Sequence, residues 1–317
     1  MLDVLTLTLN PAVDVSTSVE KVSPVHKLRC SAGVNHPGGG GINVARVAHR
    51  LGSSALALYP SGGVMGQALQ ALLTEEDLVQ QPVPIAQETR QNFSIHETSS
   101  GQDFRFVLPG PRLTAAEWQA CQQAFLERLP HATHAVVSGS LPLGLADDSY
   151  AELSRRAQAL GRRLILDASG EALKYVLRTG VAMVKPSLRE LSELVGHPLQ
   201  RESDYRAAAA SLVEQHQAET VALSLGEEGA LVVTAQHHWR AKALPVTVRS
   251  TIGAGDSFLG GWLHGWQTPD TASDAEPSRL MNAFRWAMAT AASAVSSYGT
   301  ALCDPQQVQA LLKQVVI

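Results

Sequence analysis

The order of apolar and helical segments in the middle of the chain is the feature that most constrains the fold. Ala135-Val136-Val137, Leu164-Ile165-Leu166 and Ala182-Met183-Val184 are short apolar runs typical of buried strands, and segments with helical spacing separate them. Parallel strands need long connections, which are usually helices, so this alternation predicts parallel strands joined by helical crossovers. We therefore expect an α/β fold in which a central, mostly parallel sheet is flanked by helices.

Size and charge narrow the choice of function. The chain has 317 residues, of which 45% are hydrophobic and 17% are charged. This balance is typical of a compact enzyme, and α/β folds of this size often form one domain, so we predict a single domain over residues 1–317. A net charge of -4 provides no basic field for a phosphate backbone, which argues against a nucleic-acid partner.

The cysteines and the apolar stretches favour a cytoplasmic protein with no membrane partner. Cys30, Cys121 and Cys303 are far apart and form no CxxC pair, which argues against a disulfide framework and a zinc site. The first four residues contain no basic region before an apolar stretch, so we expect no signal peptide. The uncharged stretch from Trp286 to Cys303 is rich in small residues, which predicts a tightly packed buried helix rather than a membrane span.

Two segments, 12–36 and 88–108, interrupt the alternation. In the second, residues 93–96 can pair with residues 104–106 across the turn Ser99-Ser100-Gly101, which predicts a β-hairpin. Strands inserted into an α/β domain can form a lid over the crevice at the carboxyl ends of the parallel strands. A surface ribbon without a role in binding is an equally good interpretation of the pattern.

The segment Gly253-Ala254-Gly255-Asp256 precedes a helical run from Phe258 to Leu263. Glycines allow a close approach of the backbone to an anion, and the free amides at a helix N-terminus can stabilise charge on a transferring phosphoryl group. Asp256 could then remove the proton of a substrate hydroxyl. The competing interpretation is that Asp256 is an ordinary N-cap. A hydrolase triad is excluded because no histidine follows His264.

Four glycines, Gly38 to Gly41, precede a second helical pattern that contains Asn43. A dinucleotide-binding loop would have glycine at position 43, and no Gly-x-x-x-x-Gly-Lys-Ser/Thr motif occurs in the chain. The remaining use of such a loop is a close backbone approach to a polyhydroxy ligand, with Asn43 and Asp14 as hydrogen-bond partners. Ser138-Gly139, which follows a predicted strand, fits polar contact with the same sugar.

These motifs together resemble the PfkB/ribokinase family of sugar kinases. The resemblance is carried by Gly-Gly-Gly-Gly-Ile-Asn-Val-Ala-Arg at 38–46 and Thr-Ile-Gly-Ala-Gly-Asp-Ser at 251–257, and it extends to segments 7–14, 89–92, 137–142, 184–186 and 224–226. It implies a ribokinase-like fold with a small β-sheet lid, formed here by 12–36 and 88–108. It also implies phosphoryl transfer from ATP with Mg²⁺ as cofactor.

The resemblance assigns roles to individual residues. Asp256 would be the catalytic base, and the amides of Gly253, Ala254 and Gly255 would form the anion hole. Four cations lie on the two predicted lid segments: Lys27, Arg29, Arg90 and Arg105. Such cations can clamp a phosphate, so they indicate a phosphorylated ketohexose as substrate. The substrate-binding residues would be Asp14, Lys27, Arg29, Gly39, Gly40, Asn43, Arg90, Arg105, Ser138 and Gly139.

The nucleotide-binding residues implied by the resemblance are Lys185, Ser187, Glu190, Ser224, Gly226 and Gly229, with Glu190 holding Mg²⁺ through water. The carbonyls of Ser250 and Ile252 match a site for a monovalent cation such as K⁺. The family's Asn-x-x-Glu motif is altered here to Ser187-Leu188-Arg189-Glu190, which is also an ordinary helix capping box. We therefore expect weaker binding of nucleotide or Mg²⁺ than with Asn.

Within the family, the chain most resembles the minor 6-phosphofructokinases, which implies phosphorylation of the 1-hydroxyl of fructose 6-phosphate. The 1-phosphofructokinases and tagatose-6-phosphate kinases share the same polar residues, so they stay open as alternatives. A non-catalytic sensor of sugar phosphates is an alternative of another class, slightly favoured by Ser187. A lid with an exposed apolar ribbon also predicts a homodimer in which two lids pair.

Overall fold

The computed structural model describes residues 2–268, 276–299 and 301–317. In chain order, the strands are β1 (Leu2–Leu7), β2 (Ala12–Val19), β3 (Val34–Gly38), β4 (Ala55–Ser61), β5 (Val79–Pro84), β6 (Arg90–Glu97), β7 (Asp103–Val107), β8 (Ala132–Ser138), β9 (Ile165–Asp167), β10 (Val181–Val184), β11 (Ala218–Ser224), β12 (Ala230–Thr234) and β13 (His238–Ala241). Nine of these form one large sheet in the order β13-β12-β11-β10-β9-β8-β1-β4-β5. All neighbours from β11 to β5 are parallel, whereas β12 and β13 are antiparallel additions at one edge.

Helices cover both faces of the large sheet. They are α1 (Gly40–Arg50), α2 (Gly63–Glu75), α3 (Ala115–Arg128), α4 (Ser149–Ala159), α5 (Gly170–Leu177), α6 (Leu188–Val195), α7 (Glu202–Glu214), α8 (Ala254–Gln267), α9 (Glu276–Val295) and α10 (Pro305–Leu312). One apolar cluster joins the sheet to α3–α7, and a second joins its other face to α1, α2 and α8–α10. The predicted α/β architecture with a mostly parallel central sheet is therefore confirmed.

A smaller sheet is built from both segments that interrupt the alternation. Its strand order is β3-β2-β6-β7, and in the hairpin of β6 and β7 Phe93 lies opposite Phe106 and Ile95 opposite Phe104. The predicted hairpin is confirmed. That residues 1–317 form one domain, and that the small sheet acts as a lid, stay predictions.

Small residues of α8 bring the helices that carry the site close together. A side chain at Gly260 would collide with Val47 and with the carbonyl of Val44 in α1, and one at Gly261 would collide with Thr290 in α9. The N-termini of α1 and α8 therefore meet at the same end of the sheet. The stretch from Trp286 to Cys303 was expected to form a buried helix; it is buried and helical up to Val295, where α9 ends. Among the described residues no helix is long and apolar enough to cross a membrane.

Candidate active site

A polar cavity of about 310 Å³ lies at the carboxyl ends of β8 and β9, between the large sheet and the small one. This is the position that α/β folds favour for ligands. Its lining includes these predicted site residues: Asp14, Gly39, Gly40, Asn43, Arg90, Arg105, Ser138, Gly139, Glu190, Ile252, Gly253 and Asp256. Residues separated by almost the whole chain are thus brought to one crevice.

Asp256 lies in the first turn of α8, at the cavity. The helix begins at Ala254, and its N-cap is Gly253, whose φ of 73° is a left-handed conformation that favours glycine. The interpretation of Asp256 as an N-cap is therefore wrong, because Asp256 is the third residue of the helix. The Asn43 side chain donates a hydrogen bond from Nδ2 to Asp256 Oδ2 at 2.8 Å. The carboxyl is held at a helix N-terminus, as the predicted roles of base and anion hole require.

The surroundings of Asp256 suit a base that works near neutral pH. Burial, followed by the negative charge of Asp167, raises the pKa of the Asp256 carboxyl to about 6. The hydrogen bond from Asn43 and the charge of Lys185 act in the opposite direction. A general base is most effective when its pKa is close to the working pH. At pH 7 to 8 Asp256 is ionised and still basic enough to accept a proton.

Lys185 and Asp167 form a buried ion pair next to Asp256, with 3.2 Å between Lys185 Nζ and Asp167 Oδ1. Burial lowers the pKa of Lys185, but the carboxylates of Asp167 and Asp256 more than offset this and hold it above its ordinary value. A side chain at Gly255 would meet Lys185 Nζ, so the ammonium group lies against the first turn of α8. The positive charge of Lys185 and the free amides of α8 therefore both attract negative charge to the N-terminus of this helix.

Asp167 was not predicted as a site residue. It is the last residue of β9 and lines the cavity. Two signals were available: its position at the carboxyl end of a predicted parallel strand, and its place at the start of segment 167–173, which resembles the minor 6-phosphofructokinases. Asn92 was also not predicted as a site residue, although it lies in segment 89–92, which carries part of the resemblance. Its Nδ2 donates to Asp14 Oδ1 at 2.9 Å across β2 and β6, so it orients a carboxylate that could bind a sugar hydroxyl.

The four predicted lid cations do not lie together. Arg90 and Arg105 line the cavity, whereas Lys27 and Arg29 are exposed and are not among the described residues that line it. The Arg90 guanidinium donates to the carbonyls of Leu108 and Asn10, both at 2.9 Å. Within one chain, Arg90 therefore ties the segment after β7 to the body of the protein, whereas Arg105 lies on the cavity wall.

The predicted nucleotide side lies beyond β10 and β11. Ser187 caps α6, and its capping box is present as predicted: Glu190 Oε2 accepts from Ser187 N and Oγ at 2.7 and 2.9 Å. Ser187 also forms a bridge with Ser224, next to the turn that contains Gly226 and Gly229. Lys185, Ser224, Gly226 and Gly229 do not line the 310 Å³ cavity, so their binding roles stay predictions.

The side chains of the cavity include carboxylates that could take part in binding a metal ion. Among the described residues no group of three or more His, Cys, Asp or Glu side chains could hold a metal ion alone. Mg²⁺ in phosphoryl-transfer enzymes needs only one or two carboxylates, with phosphates and water as the other ligands. Glu190 and Asp167 both line the cavity and meet this requirement. Ser250 is buried and Ile252 lines the cavity, but the monovalent cation site there stays a prediction.

A larger cavity, of about 830 Å³, lies elsewhere, among the amino-terminal parts of β8–β11, the end of α7 and Trp262 and Trp266 of α8. None of the predicted site residues lines it. Its volume exceeds that of the first cavity, but it lacks the convergence of carboxylates, cations and a helix N-terminus that the first contains. We therefore place the active site in the smaller cavity.

Residues 3–307 match the family described as pfkB family carbohydrate kinase. The chain belongs to this family. It is 39% identical over 310 residues to the ATP-dependent 6-phosphofructokinase isozyme 2 of Mycobacterium tuberculosis strain H37Rv, which covers 96% of this chain and 88% of that protein. It is 39% identical over 318 residues to the enzyme of the same name from Escherichia coli K12, covering 99% of this chain and all of that one.

Solved structures agree with this assignment. The phosphofructokinase-2 of Escherichia coli in complex with substrates and products superposes with a TM-score of 0.91 at 38% identity, covering 98% of both chains. A ribokinase from Arabidopsis thaliana, complexed with ribose and ATP, has a TM-score of 0.74 at 19% identity, and this second likeness shows the fold alone. The resemblance identified from the sequence and the ribokinase-like fold it implied are thus confirmed.

Proposed function

We propose that the protein is an ATP-dependent 6-phosphofructokinase, which converts fructose 6-phosphate and ATP to fructose 1,6-bisphosphate and ADP. The observation that carries the proposal is the carboxyl of Asp256, which lies at the N-terminus of α8 and faces a cavity with Arg105 on its wall. A base, an anion-binding helix terminus and a cation for a second phosphate are the parts that this reaction needs. The relatives named above support the choice of fructose 6-phosphate.

The reaction is a direct, in-line transfer. Asp256 takes the proton of the 1-hydroxyl group while the oxygen of that group attacks the γ-phosphorus of ATP. The bond from the γ-phosphorus to the bridging oxygen of the β-phosphate breaks, and ADP leaves with that electron pair. The amides of Gly253, Ala254 and Gly255 and the Lys185 ammonium stabilise the negative charge on the transferring group.

The nucleotide extends along Ser224, Gly226 and Gly229 towards Lys185 and Ser187. Glu190 would hold Mg²⁺ through water, and the bound ion would supply positive charge next to the phosphate oxygens. The carbonyls of Ser250 and Ile252 would bind a monovalent cation. Support for this comes from the Escherichia coli phosphofructokinase-2, which has been crystallised in complex with potassium. The described cysteines are free, which supports a location in the reducing cytoplasm.

Substrate choice is tested by ADP release with fructose 6-phosphate, fructose 1-phosphate, tagatose 6-phosphate and free fructose. We expect the highest kcat/KM with fructose 6-phosphate. Replacing Arg105 by Gln removes a charge-assisted contact with the 6-phosphate, which is worth about 1.5–3 kcal/mol. The KM for fructose 6-phosphate should therefore rise by about 10- to 100-fold, with a small change in the KM for ATP.

Arg155→Gln is the matched control, because Arg155 is exposed on α4 and does not line the cavity. Its kinetics should equal those of the wild type. A preference for fructose 1-phosphate would replace the proposed substrate by one of the alternatives within the family. Tight binding of a sugar phosphate without any ADP release would instead favour the non-catalytic sensor.

We also propose that two copies pair through the small sheet. Strand alternation puts Val15, Phe93, Ile95, Phe104 and Phe106 on the face opposite Asn92 and Arg105, which line the cavity. None of the five belongs to either buried core cluster, and Phe106 is 48% exposed. A continuous apolar face of this kind is typical of an interaction surface, and a second copy with the same face would cover it.

Phe106→Lys tests this pairing. A charge on the apolar face should convert a dimer to a monomer at micromolar concentration, as measured by sedimentation velocity. Because Phe106 is about half exposed in the single chain and lies on the edge strand β7, the variant should fold normally. A wild-type monomer, or a Phe106→Lys protein that stays dimeric, would exclude the small sheet as the interface.

A further inference from the structure

Arg46 is an entirely buried arginine at the centre of a polar chain that ends at Asp256. Its side chain has no exposed surface. Its guanidinium contacts the Glu76 carboxylate, with 2.6 Å between Nη2 and Oε1. The other terminal nitrogen donates to the Pro37 carbonyl at 3.0 Å and to Asn43 Oδ1 at 3.1 Å. Arg46 thus joins α1 to the end of α2 and to strand β3 of the small sheet.

Burying a charge of this kind is costly, so its retention needs a reason. Burial lowers the pKa of Arg46, although the guanidinium keeps its charge because Glu76 pairs with it. Burial would raise the pKa of Glu76, but the contacts with Arg46 and Arg50 leave it below its ordinary value. Apolar residues can often replace such a pair without loss of stability. A role in the site explains the arginine better than stability does.

The Asn43 side chain has two different ends, and only one can serve Asp256. Its oxygen accepts hydrogen bonds and its nitrogen donates them, and a carboxylate can only accept. Arginine has no acceptor, so the bond from Arg46 fixes the oxygen of Asn43 on the side of Arg46. The Nδ2 donor of Asn43 is then left facing Asp256 Oδ2. A rotated amide would direct its oxygen at the carboxylate and repel it.

We propose that Arg46 is a positioning residue for phosphoryl transfer, which orients the Asn43 amide so that it donates to Asp256 and couples this orientation to β3 through the Pro37 carbonyl. The role in transfer rests on the proposed function. Arg46 does not line the cavity of the candidate active site, so its role is to orient Asn43. Glu76 serves as its anchor, and Arg50, which also contacts Glu76 at 3.2 Å, has no contact with Asn43 among the described hydrogen bonds.

The consequence of losing this orientation can be derived from the groups that face Asp256. Burial and the charge of Asp167 raise the pKa of Asp256, the bond from Asn43 and the charge of Lys185 lower it, and Asp14 adds a smaller repulsion. Without Arg46, the bond from Asn43 is no longer enforced. The pKa of Asp256 should then move above its value of about 6, and the base should lose its proton only at higher pH.

The test compares two single variants that remove the same charge and leave Glu76 in place, Arg46→Met and Arg50→Met. The kcat/KM of each is measured from pH 5 to pH 9 with the sugar phosphate that the wild type uses best. We expect the acid limb of the pH profile of kcat/KM to move up by about one pH unit in the Arg46 variant. The loss of kcat/KM relative to the wild type should therefore be about tenfold larger at pH 5.5 than at pH 8.5. The Arg50 variant should keep the limb of the wild type.

Arg46→Lys is the second variant, in case Arg46→Met does not fold. A single ammonium group cannot hold Glu76, Pro37 and Asn43 as the planar guanidinium does, so its limb should move in the same direction by a smaller amount. An equal loss at every pH, with the limb unmoved in both Arg46 variants, would overturn the proposal, because a structural role alone predicts that result.

A second readout does not depend on turnover, so it separates this proposal from the proposed function. Asp256→Asn is introduced into the wild type and into each Arg46 variant, and the resulting increase in the urea midpoint of unfolding is measured as a function of pH. The gain stops rising with pH once Asp256 is fully ionised. We expect this plateau to begin at higher pH in the Arg46 variants. The same plateau in all backgrounds contradicts the proposal, whereas an inactive wild type contradicts only the proposed function.

Discussion

Asp256→Asn is expected to lower kcat by about 10³-fold, within the range of about 10²–10⁴ that a general base contributes. Asparagine has nearly the same shape and can still accept the hydrogen bond from Asn43, so the KM values should change by only a few-fold. The rate with saturating ATP and sugar phosphate is the measurement. Asp147→Asn, a change of the same type at an exposed position before α4, should leave kcat unaltered. Turnover retained in Asp256→Asn would refute the proposed base.

The same substitution should make the protein more stable at high pH. The pKa of Asp256 in the folded state, about 6, lies above its ordinary value, so ionisation of this group costs stability. Stability is therefore greatest below the ordinary pKa and is lost as the pH rises through about 6. The asparagine side chain of the variant would never ionise, and the gain at pH 8 should be about 1–3 kcal/mol. Urea unfolding at pH 8 and pH 4 tests this, and the gain should vanish at pH 4.

Local patterns were sufficient to predict the α/β class and the mostly parallel sheet, whereas the ribokinase-like fold followed from the family resemblance. The apolar runs around Val136, Ile165 and Met183 became β8, β9 and β10, because buried parallel strands and amphipathic helices differ in period and length. The hairpin of β6 and β7 was predicted for the same reason. What the sequence could not show is distance: Asn43 and Asp256 are 213 positions apart, and only the close packing of α1 on α8 makes them partners.

Three polar residues of the site region were not predicted from the sequence, for a common physical reason. Asp167, Asn92 and Arg46 all lie in segments that carry the resemblance, but their roles depend on burial and on neighbouring side chains, which a single sequence does not show. Arg46 lies in a helix where an arginine is normally solvated. Lys27 and Arg29 show the opposite error. Both were predicted to bind substrate because they lie on the lid segment 12–36, but within one chain neither lines the cavity.

Lys185→Met is expected to have the second largest effect, and its direction follows from the charges that it leaves behind. Lys185 is 6% exposed and pairs with Asp167. Breaking a buried pair by removing one partner typically costs about 3–5 kcal/mol, because the remaining charge is buried without compensation. We expect an unfolding free energy lower by about this amount at pH 8, together with a strong loss of kcat.

The cost of Lys185→Met should depend on pH in a way that a packing defect would not. Without Lys185, the pKa values of Asp167 and Asp256 rise further above their ordinary values, since its charge lowers both. Carboxyls with raised pKa values contribute stability that is present at low pH and lost as the pH rises. The destabilisation, measured by urea unfolding, should therefore be smaller at pH 5 than at pH 8. The double variant Lys185→Met with Asp167→Asn separates stability from activity. It should recover much of the lost stability, because no unpaired carboxylate remains at position 167. It should recover none of the activity, because the positive charge that faces the transferring phosphoryl group is still absent. An equal destabilisation at both pH values, with no recovery in the double variant, would mean that Lys185 contributes through packing alone.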